Sequence, residues 1–315
     1  MSDSPSDSTT DATTSAAVGS TGRGPHFAVM LPQMRMSYAT IEERVQSAEA
    51  NGFHSVWFMD HLTPPVAPEH DAFEGWTLTS ALAMRTSTIR LGHLVLCNEF
   101  RHPALLAKMA ATLDVLSEGR LELGLGWGSV PHELEVFGFG LDPAPVRAAR
   151  LGETLTILSL MFAGEPFDYE GEHFQLRGAI GRPVPLQSRV PIMIGGAGPK
   201  LTMPLVAAHA DWWNCPTYAI DRLAELVPLA GSARISAQHP LGLAASSGDR
   251  DEVVATAERR FGGWGGLIAG SPDEVIAALQ REVDLGVELF IFQFTDFAPP
   301  ATLERFATEV MPAFR

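Results

Sequence analysis

From residue 25 onward, short apolar runs alternate with amphipathic stretches. HFAVMLP (26–32) has the length and content of a buried strand, and TIEERVQSAEANG (40–52) places Ile41, Val45 and Ala48 on one helical face before Gly52 stops it. FHSVWFM (53–59) is the second strand. The proline-rich, aperiodic 63–73 is a loop, and EGWTLTSALAMRTS (74–87) is the next helix. RLGHLVLC (90–97) is the third strand, and 103–119 is a helix with Pro at its start and Gly at its end. RLELGLG (120–126) follows as strand four. The helix over 143–164 carries Leu151, Leu155, Leu158 and Phe162 on one stripe.

The second half repeats the scheme. Strand five is VPIMIGG (190–196), followed by a helix over 199–210 that contains Pro204; strand six is DWWNC (211–215), followed by a helix over 219–231. PLGLAAS (240–246) reads as strand seven and 250–262 as a helix. The spacing then predicts a helix over 271–287, opened by Ser271 as N-cap with Pro272 first and Glu274 completing a capping box. ELFIFQF (288–294) is strand eight, and 302–314 is the closing helix.

Eight strands alternating with helices, with no break in composition, favour an α/β fold of one parallel (β/α)₈ TIM barrel; a doubly wound sheet is the alternative. Residues 165–189 depart from the alternation. Their aromatic runs FDYEG and EHFQL form an insertion before strand five and a candidate lid.

Composition sharpens this only in places. A formal net charge of −15 makes nucleic acid and anionic membranes poor partners, and leaves a small molecule as the expected ligand. No apolar stretch approaches the ~20 residues that span a bilayer. Residues 1–24, rich in Ser, Thr, Asp and Gly without a signal-peptide pattern, read as a disordered tail, leaving 25–315 as one domain. Cys97 and Cys215 have no metal-site spacing and read as reduced thiols, which suits a cytoplasmic protein.

Four stretches follow strands, where a barrel keeps its chemistry. After strand two, VWFMDHL ends in Asp60 and His61: an imidazole can exchange a proton, and a neighbouring acid can fix its tautomer, although an isolated strand-end His is more often structural. In 96–108, Cys97 and Asn98 point to the barrel top, while Arg101 and His102 read as a structural corner. In GLGWGSVPHELEVFG (124–138), glycines 124, 126 and 128 allow close approach of a flat ligand. Ser129 breaks the dinucleotide fingerprint, and adjacent His132 and Glu133 lack metal-ligand spacing. In IGGAGPKLT (194–202), Gly195, Gly196 and Gly198 precede a helix with Lys200 in its first turn: an anion site or a plain tight turn. No nucleophile elbow or P-loop is present.

Taken in order, GFHSVWFMDH, AFEGWTLTSALAMRTSTIRLG (72–92), FRHPALLAKMAATLDVLSEGRLELGLGWG (100–128), VPIMIGGAGPKLT, HADWWN (209–214) and GSPDEVIAALQREVDLGVELFIF (270–292) make the chain resemble the luciferase-like monooxygenase superfamily, in its deazaflavin branch. The resemblance implies a TIM barrel with coenzyme F420 across its carboxyl end and hydride exchange with a small organic substrate, the alternative being an FMN-dependent monooxygenase. It places the coenzyme phosphate at Gly195, Gly196, Ala197, Gly198 and Lys200. The ring would lie at a non-proline cis peptide or bulge near Leu94 and Val95, with Cys97 and Asn98 at its rim. Gly126, Trp127 and Gly128 would border it, with Asn214 at the end of strand six. It makes His61 the catalytic acid or base and Asp60 its orienting partner; homodimers are common among members. Two departures lie near the ligand face: Asp211-Trp212-Trp213-Asn214 where Asp-Gly-Trp-Asn is frequent, and Gly128-Ser129-Val130 where Glu or Asn is common. A non-catalytic flavin-binding barrel and a sugar-phosphate barrel enzyme remain as other readings.

Overall fold

In the computed structural model, residues 24–65 and 67–315 are described; the expected tail over 1–24 lies outside them except for Gly24. The first half runs β1 (His26–Met30), α1 (Tyr38–Ala50), β2 (Ser55–Phe58), α2 (Gly75–Ala83), β3 (Arg90–His93), β4 (Leu96–Cys97), α3 (Pro103–Leu116) and β5 (Leu121–Gly126). Then come α4 (Pro131–Val136), α5 (Ala144–Ala163), β6 (Phe167–Glu170), β7 (Gln175–Ala179), β8 (Ile192–Gly195), α6 (Thr202–His209) and β9 (Trp212–Cys215). The chain closes with α7 (Leu223–Leu226), β10 (Arg234–Leu243), α8 (Arg250–Phe261), β11 (Ile268–Gly270), α9 (Pro272–Val283), β12 (Val287–Phe294) and α10 (Pro300–Arg305).

Eight strands, β1, β2, β3, β5, β8, β9, β10 and β12, pair in parallel, and the β12–β1 contact (Leu289 opposite His26) closes the ring. The expected barrel therefore stands, and the doubly wound alternative does not. Its interior is packed rather than hollow. Ala28, Met30, Trp57, Met193, Trp212, Leu289 and Ile291 fill it, and a Cβ on Gly92 would lie 2.6 Å from the Trp57 ring. Glycine there lets the indole cross the barrel, which plugs the lower part and confines any cavity to the carboxyl end.

Outside the ring, the capping box of α9 forms as expected: the Ser271 amide donates to Glu274 Oε2 at 2.8 Å, and the Glu274 amide donates to Ser271 Oγ at 3.4 Å. Strand seven differs from expectation. It spans Arg234–Leu243 rather than 240–246, and its first half escaped the apolar pattern because Arg234, Ser236, Gln238 and His239 break it up. His239 is tolerated inside it since both ring nitrogens are satisfied, by the Gly266 carbonyl at 2.7 Å and Glu282 at 2.9 Å. The extra strand β11 flanks the upper part of β10.

The 165–189 excursion, expected as a candidate lid, is an antiparallel ribbon of β6 and β7. A segment leaving the end of a barrel helix starts at the amino end of the strands. The ribbon's turn is held on the outside of α5, where the Glu172 and Phe174 amides donate to Glu153 at 2.8 and 3.0 Å. No residue of 165–189 lines the cavity described below. The segment that does reach over the barrel mouth follows β5 and includes α4.

Candidate active site

A cavity of about 650 Å³ opens at the carboxyl ends of the strands, between the ends of β2, β3, β5, β8 and β9 and the segment carrying α4. Its floor is the junction of β3 and β4, where the Leu94–Val95 peptide is cis, as the resemblance implied. Two glycines make room for this junction: a Cβ on Gly126 would lie 2.6 Å from Val95 Cγ2, and one on Gly195 would lie 3.0 Å from Val95 Cγ1. The shelf thus consists of one aliphatic side chain and bare backbone, which admits a flat ring at van der Waals distance.

At the far side, Gly196 and Gly198 close on Thr202 at the start of α6. Added Cβ atoms would meet it at 3.1 and 3.2 Å, and Gly196 adopts φ of 130°, a conformation suited to glycine. Trp213 Nε1 donates to the Gly196 carbonyl at 2.7 Å. Asn214 is fixed by donating to Ser236 Oγ at 3.1 Å. The cradle that side chains would fill is therefore open along its length, and these residues fit a ring with a ribityl-phosphate tail.

Asp60, His61, Leu94, Val95, Cys97, Gly126, Trp127, Gly128, Gly195, Gly196, Ala197, Gly198 and Asn214 all line the cavity. Two expected residues do not. Asn98 is buried in the short helical turn after β4 and is not part of the cavity wall, and Lys200 is exposed, outside that wall. Cys97 is present as a neutral thiol, since burial pushes it up to about 12.

The expected Asp60–His61 pairing is replaced by a different arrangement. Asp60, 4% exposed, forms a two-pronged ion pair with Arg101 (2.7 and 2.8 Å) and accepts the Cys97 amide at 2.8 Å. Burial opposes the charge on Arg101, but its bonds to Asp60 and the neighbouring Glu74 outweigh burial and raise its pKa. The structural reading of Arg101 and His102 holds, since His102 caps α3 by accepting the Ala104 amide at 3.2 Å.

The partner of His61 is Glu133 on α4, whose Oε2 lies 2.8 Å from Nδ1; its Oε1 accepts the Leu62 amide at 2.6 Å. An ionised carboxylate can only accept, so Nδ1 donates to Glu133, and Nε2 has no protein partner among the described residues. Adjacent charges along one strand end point apart, whereas a carboxylate from the segment above can reach the ring. Sequence reasoning tested Glu133 only as a metal ligand, and nothing local marked it otherwise.

Burial pushes the Glu133 carboxyl up, but the His61 bond and the Leu62 and Thr63 amides outweigh it, and its pKa lies below the ordinary 4.5. A depressed carboxyl adds stability that is complete above its unfolded value and lost as pH falls through the folded one. The melting-temperature gap between the wild type and Glu133→Gln should thus be constant from neutral pH to about 4.5 and close below it. A gap that opens only in acid would contradict this sign.

The floor, the cradle and the histidine together form a cavity at the carboxyl end of the barrel with room for a flat ring. The chain belongs to the luciferase-like monooxygenase family, whose model matches residues 15–245. Among curated relatives, the F420-dependent glucose-6-phosphate dehydrogenase of Microbacterium testaceum is 27% identical, covering 85% of this chain and 91% of the relative. The F420-dependent hydroxymycolic acid dehydrogenase of Mycobacterium tuberculosis is 29% identical over 67% of this chain and 57% of its own. Among solved structures, an F420-dependent secondary alcohol dehydrogenase bound to an F420–acetone adduct superposes with a TM-score of 0.80 at 20% identity, covering 93% of this chain and 99% of the other. The FMN-bound oxygenating component of a type II Baeyer–Villiger monooxygenase from Pseudomonas putida superposes at 0.70, with 20% identity and coverage of 92% and 98%, so the fold alone serves both coenzymes.

Proposed function

We propose that the protein is an F420-dependent oxidoreductase that exchanges a hydride between the deazaflavin and the carbinol or carbonyl carbon of a small organic substrate. The observation that carries this reading is the His61–Glu133 pair, with Nε2 free on the wall of a cavity whose floor is Val95 and bare glycine backbone. Relatives across most of the chain length are named for the same coenzyme.

When bound, the deazaflavin supplies a carbon that accepts or donates hydride. The protein's own residues would handle everything else. Leu94, Val95 and Gly126 support the ring, and Gly195, Gly196, Ala197 and Gly198 border its tail. His61 Nε2 takes the proton of a substrate hydroxyl, or returns it to a carbonyl oxygen in the opposite direction. Glu133 holds Nδ1 and stabilises the imidazolium whenever His61 carries both protons. Asp60, locked to Arg101, fixes the backbone on which His61 stands.

Titration of the purified protein with F420 and with FMN tests this directly. F420 should bind at least about 10-fold more tightly, and secondary alcohols should bleach its visible absorbance without oxygen. Preference for FMN, with oxygen consumed on addition of substrate, sinks the proposal.

A further inference from the structure

β2 ends at Phe58, three residues before His61. On its β1 side the register closes with Met30 opposite Trp57, and the Leu31 amide donates to the Trp57 carbonyl at 3.0 Å. On its β3 side the Leu94 amide donates to the Phe58 carbonyl at 2.9 Å. Met59 lies beyond both ladders, yet both of its main-chain groups are paired. Its amide donates to Gln33 Oε1 at 3.0 Å, and its carbonyl accepts from Gln33 Nε2. The side-chain amide of Gln33, in the loop after β1, thus stands in for a further rung of the ladder.

Gln33 is itself fixed. It is 1% exposed and is not part of the cavity wall. Its own carbonyl accepts the Phe73 amide at 3.0 Å, which ties it to the segment entering α2. Gly75, the first residue of α2, closes the other side: a Cβ there would lie 2.4 Å from the Met59 carbonyl oxygen and 3.3 Å from Gln33 Nε2. A buried amide that gives its donor and its acceptor to the main chain of one residue fixes the course of the chain there.

His61 stands two residues further on. The other restraints on this strand end act through side chains: Asp60 reaches Arg101 and the Cys97 amide, and the His61 ring reaches Glu133. A side-chain tether can follow a shifted backbone by turning about its χ angles, whereas a main-chain clamp cannot. Proton transfer asks for about 2.6–3.2 Å between heavy atoms, and a displacement of about 1 Å can cost about 10²-fold in rate. We infer that Gln33 is a positioning residue for the reaction at His61: its amide holds the Met59 main chain so that Nε2 meets the substrate oxygen at transfer distance.

This inference rests on the proton-transfer role of His61 in the reading above and can fail separately. The test is Gln33→Met, similar in size and without the amide's donor and acceptor, made alone and together with His61→Ala. At saturating coenzyme and substrate it should lower kcat by about 10- to 100-fold, with the coenzyme dissociation constant changed by less than about 3-fold. In the His61→Ala background it should lower the residual kcat by less than about 2-fold, since a residue that acts through the imidazole has nothing left to position. A merely structural Gln33 would show the same factor in both backgrounds.

Equal factors in the two backgrounds, an unchanged kcat, or a loss confined to coenzyme binding each overturn the inference. Coenzyme binding also reports that the variant has folded. Should Gln33→Met not bind, Gln33→Glu, which keeps an acceptor for the Met59 amide, is judged by the same comparison. Failure of both to bind makes Gln33 a folding residue and overturns the inference as well. The nitrogen NMR signals of the His61 ring, assigned by their absence in His61→Ala, need no coenzyme. They should move in Gln33→Met, and unmoved signals overturn the inference even where the coenzyme reading has itself fallen because wild type prefers FMN.

Discussion

His61→Ala should lower turnover by ~10²–10⁴-fold while changing the dissociation constant for the coenzyme by no more than a few-fold. The asymmetry follows from where the ring stands. Its Nδ1 is committed to Glu133, its Nε2 is the free nitrogen on the cavity wall, and the floor of the cavity is made by other residues. Removing the ring leaves Glu133 still accepting the Leu62 amide, so the segment above the cavity keeps an anchor. Single-turnover kinetics beside an equilibrium titration check both halves, and added imidazole should restore part of the rate by entering the vacated space. A variant that binds coenzyme poorly but turns over normally when saturated would make His61 a binding residue and remove it from proton transfer.

The barrel was legible because its determinants are local. A strand of the ring needs a short apolar run, a flanking helix needs an apolar stripe, and both leave periodic traces. Strand seven blurred where Gln238 and His239 enter β10, since the groups that satisfy His239, the Gly266 carbonyl and Glu282, come from elements far along the chain. The same physics explains the site. Glycines 126, 195, 196 and 198 could be singled out because a bare backbone marks a close approach whatever lies opposite. The position of the cis bond came from family resemblance, for nothing in RLGHLVLC specifies it.

The pairing of charges was not legible. Asp60 is adjacent to His61, and adjacency suggested a partnership. Yet the side chain that meets the ring lies 72 residues away, in a polar stretch whose pattern suits a surface helix. Lys200 followed a glycine cluster and drew the expectation of a cation there, yet it is exposed outside the cavity, while Arg147, one basic residue in a helical segment, lines it. Which of two cations enters a cavity depends on how a helix is rotated against the barrel, and that is settled by packing of the whole ring.

Asp60→Ala should therefore act mainly on stability, the reverse of what its position beside His61 suggests. The carboxylate is 4% exposed, and its partner Arg101 is 12% exposed. Removing Asp60 leaves the buried Arg101 with only the half-exposed Glu74, 3.0 Å away, so the loss should approach the ~3–5 kcal/mol of a broken buried pair. The Cys97 amide also loses its acceptor. Denaturant midpoints should fall accordingly, while kcat per folded molecule changes by less than about 10-fold, because Glu133 continues to hold the imidazole. Asp60→Leu combined with Arg101→Met removes both charges and should recover part of the loss, since the one carboxylate left without its partner, Glu74, is 43% exposed to water. Failure of the double variant to recover anything would assign the cost to the Cys97 amide and the packing around it. If instead Asp60→Ala keeps wild-type stability and loses about 100-fold in kcat, then Asp60 orients the catalytic ring and Glu133 serves only to hold down the segment above the cavity. Glu133→Gln, assayed in the same series, separates the two assignments, for only one of these carboxylates can be the group whose loss slows proton transfer at His61.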